Sequence, residues 1–260
     1  MIKILAVGNS FSQDATHYLH QIAAADGVEM KVVNLYIGGC SLKQHAENIE
    51  SGAQAYLYEE NGSPYLCEKN GEVVERYVSV LEALQSDEWD FVITQQVSQE
   101  SGMIDTFYPY IDTVADYLKR HAPQAELLLH ETWAYEIDSL HGGFLNYHQN
   151  QEEMYQKVSE TYKTVASRLG VRIIPSGDAV QALRKKAPFV YEDGGMSLCR
   201  DGFHMNLIYG RYLLAAVWYK TLTGNSVTNN IYVPSTKLAP NAVCREHILN
   251  VVKQTVEEVL

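Results

Sequence analysis

The chain has 260 residues, of which 46% are apolar, enough for one large domain with its own hydrophobic core. Its 20 Lys and Arg against 32 Asp and Glu give a net charge of −12, spread along the sequence with no acidic tail. A surface of that sign repels phosphate backbones and anionic lipid, which argues against nucleic-acid and membrane partners, and no stretch approaches the roughly 18 to 20 apolar residues of a membrane span.

Cysteines at 40, 67, 199 and 244 are too few and too scattered for a disulfide framework and form no CxxC pair, so free thiols in a reducing compartment are expected. The opening MIKILAVG is too short for a signal-peptide apolar region and reads as a core strand, making the cytoplasm the expected location unless a leader has been trimmed.

Short β-branched or apolar runs alternate with amphipathic stretches, the pattern of a parallel sheet with crossover helices. Ile2 to Val7 is the first predicted strand, followed by a helix through about Ala25 with Asp14 as a candidate cap. Lys31 to Tyr36 is the second. Between Ser51 and Glu72 a tyrosine-rich stretch carries Asn61-Gly62 and Asn70-Gly71, turn signals that predict a β-hairpin insertion, a candidate flap. A helix over Val74 to Leu84 precedes the third strand, Phe91 to Gln95. The fourth and fifth, Leu127 to His130 and Val171 to Ile174, follow helices over about Tyr110 to His121 and Glu152 to Leu169. A final long helix starts near Leu207. The expectation is one domain over 1–260, a three-layer α/β/α sandwich. Because ligands in such folds sit beyond the carboxyl ends of the strands, the residues just after each strand are where chemistry is sought.

After the first strand comes Gly8-Asn9-Ser10, a serine at the strand tip where the next helix begins. A serine hydroxyl is a weak nucleophile until a base takes its proton. Asp201-Gly202-Phe203-His204 supplies a candidate base, with an aspartate that can fold back on the imidazole, fix its tautomer and stabilise the imidazolium. Acyl transfer also needs donors aimed at the developing oxyanion, each worth about 3 kcal/mol. Gly38-Gly39 after the second strand can bring a backbone amide close to a ligand, and Gln95-Gln96 after the third offer uncharged side-chain donors.

These pieces stand in the order of the SGNH (GDSL-like) hydrolase superfamily, which the chain resembles over nearly its whole length. Gly8-Asn9-Ser10 is similar to the family's GDS block, Gly38-Gly39 to its glycine block, and Asp201 and His204 to its DxxH block. The third block departs, since Thr94-Gln95-Gln96-Val97-Ser98 replaces the usual GxND. With HETWAY at 130–135, LYIGGCS and DGFHMN, the chain looks like a poorly characterised bacterial branch of that superfamily. The resemblance implies a flavodoxin-like five-stranded parallel sheet of order 2-1-3-4-5 and cofactor-free hydrolysis of carboxylic esters, often carbohydrate acetates. It further implies Ser10 as nucleophile, His204 as base held by Asp201, and an oxyanion hole of the Ser10 and Gly39 amides with Gln95 or Gln96.

Blander readings compete at each position. Ser10 alone could be a helix cap, Asp201 could cap the last helix, and Gly38-Gly39 could be a tight turn. His130, Trp133 and Tyr135 after the fourth strand suggest a sugar-facing wall with Glu131, against the alternative that Trp133 is core. A metal site joining His130 and Glu131 to His141 or His148 lacks tight ligand spacing. At the level of function, an esterase for small or carbohydrate acyl esters competes with an acyltransferase using the same triad and with a non-catalytic glycan-binding domain. A Rossmann oxidoreductase is disfavoured because GxGxxG is missing.

Overall fold

The computed structural model describes residues 1–260. Strand β1 (Ile2–Gly8) has Ile4 to Val7 buried on both faces, as a central parallel strand requires. Helix α1 (Ser10–Thr16) follows at once. Its cap is Asn9, whose side-chain oxygen accepts the Phe11 N–H at 3.0 Å, and not Asp14, which lies inside the helix and is buried. The expected continuous helix breaks at His17-Tyr18 and resumes as α2 (Leu19–Ala25). After β2 (Met30–Tyr36), Ser41 caps α3 (Leu42–Ser51).

The insertion is larger than one hairpin, and its first strand joins the edge of the sheet beside β2. β3 (Tyr56–Glu60) turns through Asn61-Gly62 into β4 (Ser63–Pro64), and β5 (Leu66–Lys69) turns through Asn70-Gly71 into β6 (Glu72–Glu75). All four turn residues have positive φ, the conformation for which Asn-Gly is suited. β7 (Tyr77–Val78) returns to pair with β3. This pairing is why no helix begins at Val74: the chain stays extended until Ser79 caps α4 (Val80–Gln85).

The remaining elements are β8 (Phe91–Thr94), α5 (Tyr110–His121), β9 (Glu126–His130), α6 (Gln151–Leu169), β10 (Arg172–Ile174), α7 (Ser176–Leu183), α8 (Tyr209–Thr223) and α9 (Glu246–Val259). The helix near Leu207 is therefore α8, and it is not the last. β2, β1, β8, β9 and β10 lie side by side and parallel. In chain order of the parallel strands that is 2-1-3-4-5. The five-stranded sheet is nonetheless extended to eight strands and made mixed, because β3 pairs antiparallel with β2 and carries β4 and β7.

Helices cover both faces. On one, α8 packs against α1, α2, α7 and α9 and is buried on nearly every side; on the other, α3, α4 and α5 cluster. No helix is long and apolar enough to cross a membrane. The four cysteines are unpaired. At the carboxyl ends of β1, β2 and β8 the loops converge. A bridge between Cys199 and Met205 pinches the segment between them into a turn that presents Asp201 and His204 to the same end.

Candidate active site

Three of the residues singled out from sequence meet at this end of the sheet. The Ser10 hydroxyl lies 2.8 Å from His204 Nε2, and His204 Nδ1 lies 2.7 Å from Asp201 Oδ2. Asp201 Oδ1 accepts the backbone N–H groups of Phe203 (3.2 Å) and His204 (2.8 Å), so the carboxylate holds both the imidazole and the backbone that carries it. Partial burial raises the Asp201 pKa, but the hydrogen bonds from the His204 ring and amide outweigh it and leave the carboxyl below the usual carboxylate range. With Nδ1–H directed to Asp201, Nε2 is free to accept the serine proton.

A second carboxylate joins the two halves of this arrangement. Asp14, one turn after Ser10 on α1 and fully buried, receives Arg200 Nη1 at 3.0 Å, the Met205 amide at 2.9 Å and Arg211 Nε at 2.8 Å. It thereby fastens the segment carrying Asp201 and His204 to the helix that carries Ser10.

The pocket beside Ser10 has a volume of about 180 Å³ and is lined by Tyr36, Gly38, Gly39, Val97, His141 and Phe203, among others. Gly39 has φ +66°, the left-handed region favoured by glycine, and its N–H has no acceptor within the protein. The Ser10 N–H is the first of its helix and has no intrahelical acceptor.

Neither glutamine enters the pocket, which corrects the expectation of a side-chain amide at the oxyanion. Gln95 Nε2 donates to Asn9 Oδ1 at 2.8 Å, and its oxygen takes the ring of the buried His130. Gln96 Oε1 accepts the Leu42 and Val97 amides at 2.9 and 2.8 Å, while its Nε2 donates to Thr106. Both side chains are spent on holding loops. Asn9 Nδ2 donates to the Cys40 carbonyl at 3.0 Å, so the chain from His130 through Gln95 to Asn9 ties the serine turn to the Gly38-Gly39 turn.

The sugar-facing wall is not formed either. His130, Trp133 and Tyr135 are all buried. Trp133 stacks on Phe11 with ring centroids 4.0 Å apart and donates its indole N–H to the Phe203 carbonyl at 2.7 Å, so it props the histidine loop from behind. His130 Nε2 accepts from Ser176, and Tyr135 shares a hydrogen bond with Ser98 at 2.8 Å. The apolar runs around these residues belong to the core because β9 is an inner strand of the sheet. His148 pairs with Glu153, away from His130.

Glu131 is likewise buried; burial, and then the neighbouring Asp178, push its pKa up to about 8. A raised carboxyl pKa means the folded state holds its proton where the unfolded chain, near 4.5, has lost it. This contribution to stability is complete below about pH 4.5 and falls away as pH rises towards 8. Glu131→Gln should therefore raise Tm relative to wild type more at pH 8 than at pH 5 in thermal melts followed by circular dichroism. An equal shift at both values would contradict this.

Two residues of the site carry weak signals in sequence. Asn9 occupies the variable middle of the serine block, and nothing local shows that it bridges two loops. His141 comes from the long segment after β9. Its Nδ1 accepts the Gly143 N–H at 3.0 Å, so a neutral ring carries its proton on Nε2. Burial and then His204 hold its pKa below the ordinary value, with Asp201 opposing.

Residues 3–247 match the model of a domain of unknown function, DUF4886. A DUF4886 family protein from Bacteroides uniformis is 36% identical, with a TM-score of 0.86 over 99% of this chain and 93% of that one. A proposed SGNH hydrolase from Slackia heliotrinireducens is 21% identical (TM-score 0.55, 85% of this chain and 98% of that one). An acetylxylan esterase from Geobacillus stearothermophilus is 13% identical (TM-score 0.53, 85% and 94%). The fold is that of the SGNH hydrolases. Comparison with curated proteins gives no match.

Proposed function

The chain belongs to the DUF4886 family, and from the geometry at Ser10 we infer that it is a serine ester hydrolase for short-chain acyl esters. The observation that carries this reading is the continuous hydrogen-bonded line Ser10 Oγ to His204 Nε2 to His204 Nδ1 to Asp201 Oδ2. The resemblance to SGNH hydrolases and the likeness to an acetylxylan esterase support it.

In the mechanism, Ser10 Oγ attacks the ester carbonyl as its proton passes to His204 Nε2, and Asp201 stabilises the imidazolium. The carbonyl oxygen becomes an oxyanion held by the Ser10 and Gly39 amides, which are free donors fixed before reaction. Collapse of the tetrahedral intermediate expels the alcohol, which takes the proton from His204 and leaves an acyl-serine. Water then attacks that ester with His204 as base, releasing the acid and restoring the serine hydroxyl.

A pocket of about 180 Å³ is smaller than the roughly 300 to 1,000 Å³ of drug-sized ligand sites and suits an acetyl or similarly short group. p-Nitrophenyl acetate should be hydrolysed with a kcat/KM at least about tenfold above that for the octanoate, a difference of about 1.4 kcal/mol. His204→Ala should remove both activities. Equal rates on the two esters would overturn the short-acyl assignment, and full activity in His204→Ala would overturn the mechanism.

A further inference from the structure

Three polar side chains that line the serine pocket, Tyr36, Gln99 and His141, keep a donor that bonds nothing in the protein. They differ in how firmly that donor is held. The Gln99 side chain makes no hydrogen bond, and neither does the Tyr36 hydroxyl, which stands against Gly38. His141 is held on several sides. Its Nδ1 accepts the Gly143 N–H at 3.0 Å and so caps the short 3-10 turn Gly142–Tyr147, which leaves the ring proton on Nε2. A Cβ on Gly143 would strike Gln99 Cβ, so this turn is pressed directly onto the loop that follows β8. The Tyr135 ring lies 4.9 Å from that of His141 and is itself anchored by its hydrogen bond to Ser98. Phe203 packs against both imidazoles, with ring centroids 4.7 Å from His141 and 4.1 Å from His204. The second imidazole therefore shares the pocket wall with the base. Burial and then His204 disfavour its cation, so His141 meets a ligand as a neutral N–H donor.

The chemistry of acyl transfer indicates where such a donor acts. The pocket holds about 180 Å³, so a bound acetyl ester brings its reacting carbonyl close to the lining groups. The leaving alcohol takes its proton from His204 and needs no second donor. The carbonyl oxygen, by contrast, gains a full negative charge, and a fixed N–H directed at it binds more strongly in the transition state than in the ground state. The Ser10 and Gly39 amides supply two such donors. Neither glutamine after β8 adds a third, because Gln95 Nε2 is taken by Asn9 and Gln96 Nε2 by Thr106.

We propose that His141 is a catalytic residue, its Nε2–H being the third donor to the oxyanion formed when Ser10 attacks. This assignment rests on the esterase reading above. Two variants separate it from a structural role, because each keeps one half of the imidazole. The carboxamide of Asn reproduces the Nδ1 side that holds Gly143 but does not reach the Nε2 position, whereas that of Gln reaches the Nε2 position and donates there. On p-nitrophenyl acetate, His141→Asn should lower kcat/KM about 10²-fold with little change in Tm, and His141→Gln should recover about tenfold or more of that loss. The same factors are expected on phenyl acetate, since the oxyanion forms on both esters. The reverse order, with Asn active and Gln impaired, would show that the ring only holds its turn and would overturn the proposal. A His141→Asn rate within about threefold of wild type would overturn it as well. So would a deficit confined to phenyl acetate, which would place the donor on the leaving oxygen, or a larger loss from Gln99→Ala or Tyr36→Phe than from His141→Asn. Wild-type protein that hydrolyses neither ester and leaves a fluorophosphonate unreacted would remove the esterase reading and this assignment together, while an active wild type with an unimpaired His141→Asn removes only the assignment.

Discussion

Ser10→Ala is expected to lower kcat on p-nitrophenyl acetate by about 10⁴- to 10⁶-fold with little change in Tm, because the serine acts as a unit with His204 and Asp201. The hydroxyl hydrogen-bonds only His204 Nε2, and Asn9 supplies the cap of α1, so the helix loses no cap with the hydroxyl. Asp201→Asn should cost about 10⁴-fold by offering the wrong hydrogen-bonding group to Nδ1. Combining the two changes should cost little more than Ser10→Ala alone. Losses that multiply in the double variant would mean that the residues act separately, and the account of one proton-relay line would be wrong.

Asp14→Ala should destabilise the fold by about 3 to 5 kcal/mol, the cost of leaving a buried cation without its partner. Arg211 is 5% exposed and bonds Asp14 through Nε, and the Met205 amide loses its acceptor at the same time. Residual folded protein should also be slow, since Asp14 fixes the distance between α1 and the histidine loop. Urea melts read the first effect; kcat measured well below the melting midpoint reads the second. A loss under about 1 kcal/mol would show that Arg200 and Arg211 find other partners or water, as exposed ion pairs do.

The contrast between these two residues shows what can be read from the chain alone. Ser10 and the Asp201–His204 pair are legible because each stands at a strand tip or helix entry in local sequence, and local geometry makes their chemistry plausible. Asp14 has no such signature. Its partners are 186 to 197 residues away, and only the packing of α8 on α1 brings them together. Gln95 and Gln96 follow β8 as expected, but a strand end offers two directions, and theirs point into the core, where His130, Asn9, Leu42 and Thr106 absorb every polar atom. Trp133 fails as a sugar wall for a related reason: a large aromatic side chain beside an inner strand gains more by burial than by exposure. The parallel strands are readable from apolar runs, whereas the antiparallel edge is legible only through its turns, Asn61-Gly62 and Asn70-Gly71. Two of its strands are only two residues long, and the pairing of β3 with β2 that joins them to the sheet leaves no mark in local sequence.

The most direct test of the account is covalent. Incubation of the protein with a fluorophosphonate, followed by intact-mass and peptide mass spectrometry, should give one adduct on Ser10, formed slowly or not at all in His204→Ala. An unmodified protein, or an adduct on another residue with Ser10 free, would contradict the assignment of Ser10 as the nucleophile.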